Sequence, residues 1–428
     1  MSATATSNGA TLPERLQGLP ADLTDFIVRL DDFIEREIKP LEQENIQFFD
    51  HRREYARTDF ENDGVHRQEW LDLLHEMRRR ADAAGFFRYA LPKKMGGHDG
   101  TNLGMAVLRD HLAAKGLGLH NDLQMESSVV GNLVFPLILD QFGSDTQKEQ
   151  FLDGLLSGDV EFSFNLTEPE HGSDATWLET EAKRDGSDWI INGAKRYASG
   201  VNFASHTIIF ARTSGEPGKA QGITAFIVPT DAPGFEIPYF HWTFNMPTDH
   251  AEVALTDVRV PDDAILGEEG RGLETALFFV HENRIRQAAS GVGAADYCVT
   301  ESVKYAKERV TFGKPLAERQ AIQWPLVELA TDVQLLRTFV RKTAAEMDVG
   351  GGRVSGISDK VSMCNFRANR LVCDAADRAM QVHGGQGYTR HKPFEHIYRH
   401  HRRYRITEGS EEIQIRNVAG HLFGFMKR

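Results

Sequence analysis

The hydrophobic pattern changes its period twice along the chain, which limits the fold to a helical, β, helical order. Before Glu161, apolar residues recur at helical spacing, as in the run from Leu23 to Ile38. Beyond it come short β-branched and aromatic runs such as Ile223 to Val228, with turn signals at Asp185-Gly186 and Asn192-Gly193. Helical spacing returns from Leu273. We therefore predict a mainly α chain with a β middle domain.

At 428 residues the chain is too long for one compact core. We predict a disordered tail at 1–20, an N-terminal helical domain at 21–160, a middle β domain at 161–270 and a C-terminal helical bundle at 271–428. Pro40 is expected to end the first helix, and Ser358 to cap a helix through Met380. A buried helical stripe is predicted at Leu326, Leu329, Val333, Leu336 and Val340.

Composition excludes several classes of protein. The formal net charge of −13 argues against a nucleic-acid partner, and no apolar run is long enough to span a membrane. An odd, sparse set of cysteines (Cys298, Cys364 and Cys373) suits a reducing compartment. We expect a cytoplasmic protein, or one of the mitochondrial matrix if the source is eukaryotic.

A carboxylate stands directly before a glycine in Arg405-Ile406-Thr407-Glu408-Gly409-Ser410. At such a bend the backbone can approach a ligand closely, and a carboxylate held there can act as a base. Three other segments carry hydroxyls, aromatics, arginines or glycine-rich turns that suit a phosphate-bearing cofactor. They are Phe164 to Asp174 with Asn192 to Gly200, Glu308 to Leu316, and Gln381 to Tyr388.

These segments, in this order, resemble the acyl-CoA dehydrogenase family from about Leu23 to the C-terminus. The resemblance implies an N-terminal helical domain, a β-barrel or sandwich middle domain and a C-terminal four-helix bundle, with FAD bound between them. It implies oxidation of an acyl-CoA thioester to the trans-2-enoyl-CoA, as in fatty acid β-oxidation. Electrons would pass to an electron-transfer flavoprotein.

The resemblance also implies roles for single residues. Glu408 matches the catalytic base, while Ser173, Arg284 and Gly409 match substrate contacts. FAD contacts are implied for Phe164, Leu166, Thr167, Ser173, Tyr197, Ser199, Arg309, Thr311, Phe312, Gln320, Gln381, Gly384, Gly385, Ser410 and Glu412. Several of these reach a neighbouring subunit's FAD in the family, so a homotetramer or dimer with shared sites is implied.

Some family members place the base directly before the arginine that Arg284 matches. Asn283 occupies that position here and cannot accept a proton, and Glu282 points about 100° away around the helix. Other departures are Tyr197-Ala198-Ser199 in place of Trp-Ile-Thr, and Glu170-His171 in place of Gly-Ala. Glu412 stands where a polar flavin contact, often Gln, is usual.

Two alternatives remain beside a dehydrogenase. A flavin monooxygenase or a nitroalkane-oxidase-like enzyme shares the architecture, but the presence of Glu408 argues against both. A non-catalytic acyl-CoA or flavin-binding scaffold should have a broken motif, whereas Thr167 and Arg309 are in place. His396 and His400 share a helix face, but without matching carboxylates we favour a basic surface for phosphates there over a metal site.

Overall fold

The computed structural model of the protein describes residues 13–244, 247–349 and 356–425. Within these ranges the chain runs from helices through one large sheet to a second group of helices, as the change of period predicts. None of the helices in these ranges has the length and apolar character needed to cross a bilayer.

Between residues 13 and 160, the described chain contains seven α-helices and one small hairpin. Their bounds are α1 Ala21–Phe33, α2 Lys39–Glu44, α3 Arg53–Arg57, β1 Thr58–Asp59, β2 Val65–His66, α4 Gln68–Ala83, α5 Asn102–Ala113, α6 Val134–Phe142 and α7 Asp145–Ser157. Ser144 and Gln147 form a reciprocal capping box at the start of α7, which explains why this helix is readable from sequence.

Pro40 does not end the first helical run, so this prediction is wrong. A π-helical segment, Ile34–Ile38, follows α1, and α2 continues to Glu44 with Pro40 in its first turn. Proline has no N–H to donate and is tolerated in a first turn, where no intrahelical acceptor is required. A new α-helix begins directly after the π-helical segment, and the proline lies in its first turn.

The predicted tail is also too long. Residues 1–12 lie outside the described part of the chain, but Glu14–Leu16 forms a 3-10 turn and Leu16 is buried. Leu16 packs into the same core as Leu23 and Phe26 of α1. Burial of the Leu16 side chain helps to hold this turn against the domain.

The middle part, as far as it is described, is a seven-stranded sheet of order β3-β6-β4-β5-β9-β8, with β7 paired to β6. Its strands are β3 Phe162–Asn165, β4 Glu181–Asp185, β5 Asp188–Ser199, β6 His206–Arg212, β7 Ile223–Pro229, β8 Phe235–His241 and β9 His250–Pro261. Alternate residues of β6 enter different cores: Ile209 joins the sheet's own core, whereas Ile208 and Phe210 face α6, α7 and the next long helix.

Asn192-Gly193 is not a hairpin turn, contrary to prediction. It lies inside β5 at a bulge against β9. The Asn192 side chain pairs with Asp257 across the ladder, and Gly193 has a φ of 151°. An Asn-Gly pair can occupy a β-bulge as well as a hairpin turn. Only the long-range pairing of β5 with β9 distinguishes the two structures here.

The last part is a helical bundle: α8 Gly272–Glu308, β10 Val310–Thr311, β11 Lys314–Pro315, α9 Gln320–Val349, α10 Ser358–His383, α11 Phe394–Arg403 and α12 Glu411–Leu422. Helix α10 packs against α8, α9, α11 and α12, and the N-terminal α5 packs against α8 and α9. Ser358 is the first residue of α10, and its hydroxyl faces His421 instead of capping the helix.

Candidate active site

Glu408 lies in the loop between α11 and α12, in the left-handed backbone region, with a φ of 57°. Arg284 of α8 fixes this loop, because its Nε and Nη2 atoms both donate to the Glu408 carbonyl oxygen, Nε at 2.8 Å. The next residue, Gly409, also has a positive φ, 82°, and a Cβ there would lie 2.6 Å from Arg284 Nη2. Glycine is therefore required both by the backbone conformation and by the arginine.

Replacing Gly409 by alanine is expected to displace the arginine and lower the rate of flavin reduction about 10-fold or more, because the base loses its position. Left-handed backbone alone costs alanine about 1–2 kcal/mol. Gly158→Ala is the matched control, since Gly158 has a φ of 89° with no atom near its Cβ direction. Stopped-flow reduction rates and melting temperatures of both variants separate strain from crowding. Equal rates in the two variants would contradict this role of Arg284.

Three buried side-chain amides support the Glu408 loop, two through backbone carbonyls at its ends and one through the carbonyl of Arg284. Gln414 Nε2 donates to the Gly409 carbonyl at 2.7 Å, and Asn369 Nδ2 donates to the Tyr404 carbonyl at 3.0 Å. Asn365 Nδ2 donates to the carbonyl of Arg284 itself at 2.8 Å. Sequence reasoning missed these residues. The signal that could have found them is a pair of amides four residues apart on a buried helix face, since buried amides need partners.

The Glu408 carboxyl accepts a hydrogen bond from the Asn283 side chain. Asn132 Nδ2 in turn lies 3.5 Å from Asn283 Oδ1. Arg286 donates to both oxygens of Asn132 and, at 2.8 Å, to Glu282. The carboxylate of Glu282 is thus held in an ion pair with Arg286, while Asn283 is the residue that faces Glu408.

Glu408 lies among the surrounding helices and is only partly exposed. Burial raises the pKa of its carboxyl to about 7, against the opposing effects of the Arg284 cation, the Asn283 hydrogen bond and the Arg403 cation. A carboxylate with a pKa near neutrality can both hold and release a proton under ordinary conditions.

Phe164 and Thr167 lie on the sheet side of this site. The Phe164 ring stacks on Phe279 of α8 with centroids 4.2 Å apart, and Phe279 is one helical turn before Asn283. The Thr167 carbonyl accepts a hydrogen bond from the Arg196 backbone N–H at 2.9 Å, which ties its loop to β5. Leu166 is half-buried between them, and Ser173 is exposed farther along the loop.

A buried ion pair anchors the Thr167 loop. Lys195 is fully buried, and its Nζ donates to Glu168 Oε1 at 2.8 Å and to the Phe210 carbonyl at 2.6 Å. Glu168 also accepts from the backbone N–H groups of Glu179 and Thr180. Both charged groups of the pair are therefore engaged, which fixes the loop relative to the sheet.

Tyr197 occupies a second bulge of β5, between Arg196 and Ala198, with a φ of 58°. Its ring is 52% exposed and lies beside His241. Non-glycine residues in the left-handed region are strained, and such strain tends to occur at ligand sites. Ser199, two residues on, is also exposed.

Ser410 and Glu412 lie at the start of α12, directly after the Glu408 loop. Ser410 is the residue before the helix, and Glu412 is exposed in its first turn. Their neighbour Glu411 is instead engaged by Arg370 and Arg405, which holds the pKa of its carboxyl down to about 2.

A second group of predicted residues lies elsewhere in the chain. A Tyr305–His383 ring contact joins the C-terminal ends of α8 and α10. The members of this group lie in the last turn of α10, just beyond the ends of α8 and α10, or at the start of α9: Arg309, Thr311, Phe312, Gln320, Gln381, Gly384 and Gly385. The helical rise along α8 separates Arg309 from Arg284 by about 38 Å. Within one subunit Arg309 therefore lies far from the arginine that holds the Glu408 loop.

The residues present fit a dinucleotide cofactor. The first group offers an exposed aromatic ring and hydroxyls at Tyr197 and Ser199. In the second group the Arg309 side chain is exposed and forms no ion pair within the described ranges. Gly384 and Gly385 leave open space, since a Cβ at either would meet no atom within 4 Å. A cation beside an open glycine turn suits a pyrophosphate.

The histidines of α11 face the interior. His396 and His400 are buried, and burial holds their pKa values well below the usual range. The neighbouring Arg399 and Arg403 pair with Glu395 and Glu126. The prediction of an open basic face for phosphates on this helix is therefore wrong, because both histidines are buried and two of its three arginines already have carboxylate partners.

Comparisons with known proteins agree with this arrangement. Profiles of the acyl-CoA dehydrogenase N-terminal, middle and C-terminal domains match residues 41–159, 163–258 and 270–423. Among solved structures, butyryl-CoA dehydrogenase from Megasphaera elsdenii superposes with a TM-score of 0.74 at 28% identity, covering 95% of this chain and 99% of that one. A Mycobacterium smegmatis glutaryl-CoA dehydrogenase in complex with FADH2 has a TM-score of 0.75 at 24% identity and 95% coverage of both chains.

Three relatives have matching sequences over most of their length. The probable acyl-CoA dehydrogenase FadE2 of Mycobacterium tuberculosis is 30% identical over 408 residues, which is 94% of this chain and 95% of that protein. The 3-(aryl)acrylate reductase of Clostridium sporogenes is 31% identical over 380 residues, or 86% and 96%. The CarC subunit of the caffeyl-CoA reductase-Etf complex of Acetobacterium woodii is 30% identical over 363 residues, or 85% and 91%.

The fold and these relatives define an oxidoreductase that acts on acyl-CoA thioesters. The chain belongs to the acyl-CoA dehydrogenase family.

Proposed function

We propose that this protein oxidises an acyl-CoA at its α,β carbon–carbon bond to the trans-2-enoyl-CoA, with Glu408 as the base. The observation that carries the proposal is the Glu408 carboxyl, which Asn283 hydrogen-bonds and whose pKa burial raises to about 7, on a backbone that Arg284 fixes through the Glu408 carbonyl. The cofactor is FAD, which when bound supplies the acceptor for the hydride from the β-carbon.

Glu408 takes the α-proton in this proposal, and its backbone also contributes. Its N–H has no acceptor within the described part of the chain, so it is free to donate to the thioester carbonyl. Such a donor stabilises the negative charge that develops on that oxygen as the proton leaves. Arg284 acts as a positioning residue through the Glu408 carbonyl, and direct contact with substrate remains a prediction for Arg284, Ser173 and Gly409.

Reduction of an enoyl-CoA, the reverse reaction, is a second candidate for the function. Two of the three relatives are reductases by name, and reduction of an enoyl-CoA uses the same groups in reverse, with Glu408 donating the proton. The name of the CarC complex also supports an electron-transfer flavoprotein as the partner that exchanges electrons with the flavin. Three buried free cysteines support the reducing compartment that a cytoplasmic location would provide.

An anaerobic titration of the purified holoprotein tests the proposal. Saturated acyl-CoAs of increasing length and branching are added, and bleaching of the oxidised flavin band by one series is the expected result. Rapid reaction of the reduced flavin with oxygen would favour the monooxygenase or nitroalkane-oxidase alternative. The reductase would be favoured by a different result: no saturated thioester bleaches the flavin, but an enoyl-CoA reoxidises the flavin after it has been reduced chemically.

The raised pKa of Glu408 sets the expected pH dependence. The ionised Glu408 is the active form, so kcat/KM is expected to fall about 10-fold per pH unit below a midpoint near 7. The unfolded carboxyl ionises near 4.5, so ionisation favours the unfolded chain, and stability attributable to this group is lost as pH rises from about 4.5 through 7. Glu408→Gln is expected to remove this pH dependence of the free energy of unfolding. Thermal melts across the same pH range measure it. A rate midpoint near 4.5 would contradict the assignment.

We further propose a homotetramer or dimer in which two subunits build each FAD site. The separation of about 38 Å between Arg284 and Arg309 supports this, because it exceeds the reach of one bound FAD. Exposed apolar side chains near the second group support it too. Phe312 is 97% exposed at the tip of the β10–β11 hairpin, and Trp324, Val327 and Leu335 are exposed along α9.

A further inference from the structure

A buried arginine near the Glu408 loop has no anionic partner among the described residues. Arg109 lies on α5 and is 8% exposed. Its neighbours are paired, since Asp110 binds Arg337 and Arg341 while His111 binds Asp31. Across residues 13–244, 247–349 and 356–425, nothing accepts a hydrogen bond from the Arg109 guanidinium or forms an ion pair with it.

The guanidinium nitrogens of Arg109 are not fully enclosed by protein. Unpaired nitrogen atoms that are fully enclosed occur at other arginines, such as Nη1 of Arg337, but none of the three nitrogens of Arg109 is among them. The little accessible area that this buried side chain keeps therefore includes its charged end. A ligand group that meets this accessible area can reach the N–H donors of the guanidinium.

Tyr404 connects Arg109 with the site of the reaction. Its phenol interacts electrostatically with both the Arg109 cation and the Glu408 carboxyl, and its hydroxyl donates to Glu126 at 2.7 Å. Arg109 also lies close enough to Arg286 of α8 to be repelled by it. The Arg109 guanidinium therefore lies near Tyr404, whose phenol is also near Glu408.

Charge balance around Arg109 is incomplete. Arg286 is compensated by Glu282, and Arg403 by Glu126, which leaves the Arg109 cation without a counter-charge in the described chain. A buried, unpaired cation is costly. A neutral acyl chain would bury it further, whereas an anionic group on the chain would compensate it.

We infer that the acyl chain of the substrate carries an anionic oxygen group, a carboxylate or a phosphate ester, which the Arg109 guanidinium binds. This inference rests on the proposed function, because it requires a thioester held at Glu408. The planar guanidinium donates paired N–H groups to either kind of anion. Arg109 would then select the substrate and set the chain's depth, while Glu408 acts on the α-carbon.

Paired thioesters of equal length test this inference on the holoprotein. Adipyl-CoA is compared with hexanoyl-CoA, and ω-phosphooxyhexanoyl-CoA with ω-hydroxyhexanoyl-CoA, by anaerobic flavin reduction. At least one anionic member is expected to exceed its neutral partner by about 100-fold in kcat/KM. The pair that shows the preference tells carboxylate from phosphate.

Arg109→Met is expected to remove this preference while the rate with the neutral member is kept or raised. Its melting temperature should be unchanged or higher, since an unpaired charge is removed. Arg341→Met is the matched control: it removes an arginine that pairs with Asp110, and the preference should persist. Arg109→Gln provides the same test if the methionine variant is poorly recovered.

The outcomes distinguish the inference from the proposed function. Equal rates within both pairs, or a preference that survives in both Arg109 variants, would overturn the inference and leave the proposed function standing. Failure of all four thioesters, and of the saturated series of other lengths and branching, to reduce the flavin would instead overturn the proposed function. Loss of the preference in Arg109→Met alone, with the control unaffected, supports the inference.

Discussion

Glu408→Gln is expected to lower the rate of flavin reduction by acyl-CoA about 10³-fold or more, while the protein keeps its FAD. General bases contribute roughly 10²–10⁴-fold, and here the base must also reach a weakly acidic α-hydrogen. The substitution keeps the shape of the side chain, and Arg284 binds the backbone carbonyl, not the carboxyl. The loop should therefore retain its conformation. Stopped-flow reduction under anaerobic conditions measures the effect.

The matched control is Glu274→Gln, which changes an exposed carboxylate in the first turn of α8. Its reduction rate should stay within about two-fold of the parent, because surface substitutions rarely perturb a distant site. Glu282→Gln is a sharper comparison, since that carboxylate is near the site but held by Arg286. A Glu408→Gln variant that is reduced at the parent rate would mean that another group removes the proton.

Mixing two inactive variants is expected to restore activity if the FAD site is shared between subunits. Arg309→Ala removes the cation of the second group, and Glu408→Gln removes the base. In a mixed oligomer, an Arg309→Ala subunit supplies an intact Glu408 while its Glu408→Gln neighbour supplies an intact Arg309. About a quarter to a half of the parent activity per flavin should return, from the statistics of mixing, whereas either variant alone stays inactive.

A shared FAD site also predicts that disrupting the exposed apolar surface of α9 releases the cofactor. The double variant Trp324→Asp and Leu335→Asp places charges on this surface and should reduce the oligomer to monomers with FAD content below about a tenth per subunit. Tyr55→Asp, at an exposed aromatic in the N-terminal part, is the control. A monomer that keeps its FAD, or mixed variants that stay inactive, would contradict a shared site.

The order of the elements was predictable because the apolar period is a local property of the sequence. Helix α10 and strand β7 match the periods read along the chain. The errors arose where tertiary contacts decide between local options. Asn192-Gly193 is a bulge because β5 continues along β9, and the run through Pro40 continues because a π turn begins a new helix there.

The site was predictable to a lesser extent. Glu408-Gly409 could be picked out as a bend, but its need for glycine comes partly from Arg284, which is distant in sequence. Asn365, Asn369 and Gln414 were missed because a buried amide in a helix has no local signature apart from its spacing. The division of the FAD residues into two groups depends on the length of α8, which only the folded chain reveals.

Dehydrogenation by Glu408 is tested most directly by the mass of the thioester after one anaerobic turnover of the holoprotein. We expect each flavin bleached to yield one trans-2-enoyl-CoA, two hydrogens lighter than the substrate, and Glu408→Gln to yield none. An oxygenated product, a bleached flavin without enoyl-CoA, or enoyl-CoA formed equally by Glu408→Gln would contradict the proposed reaction.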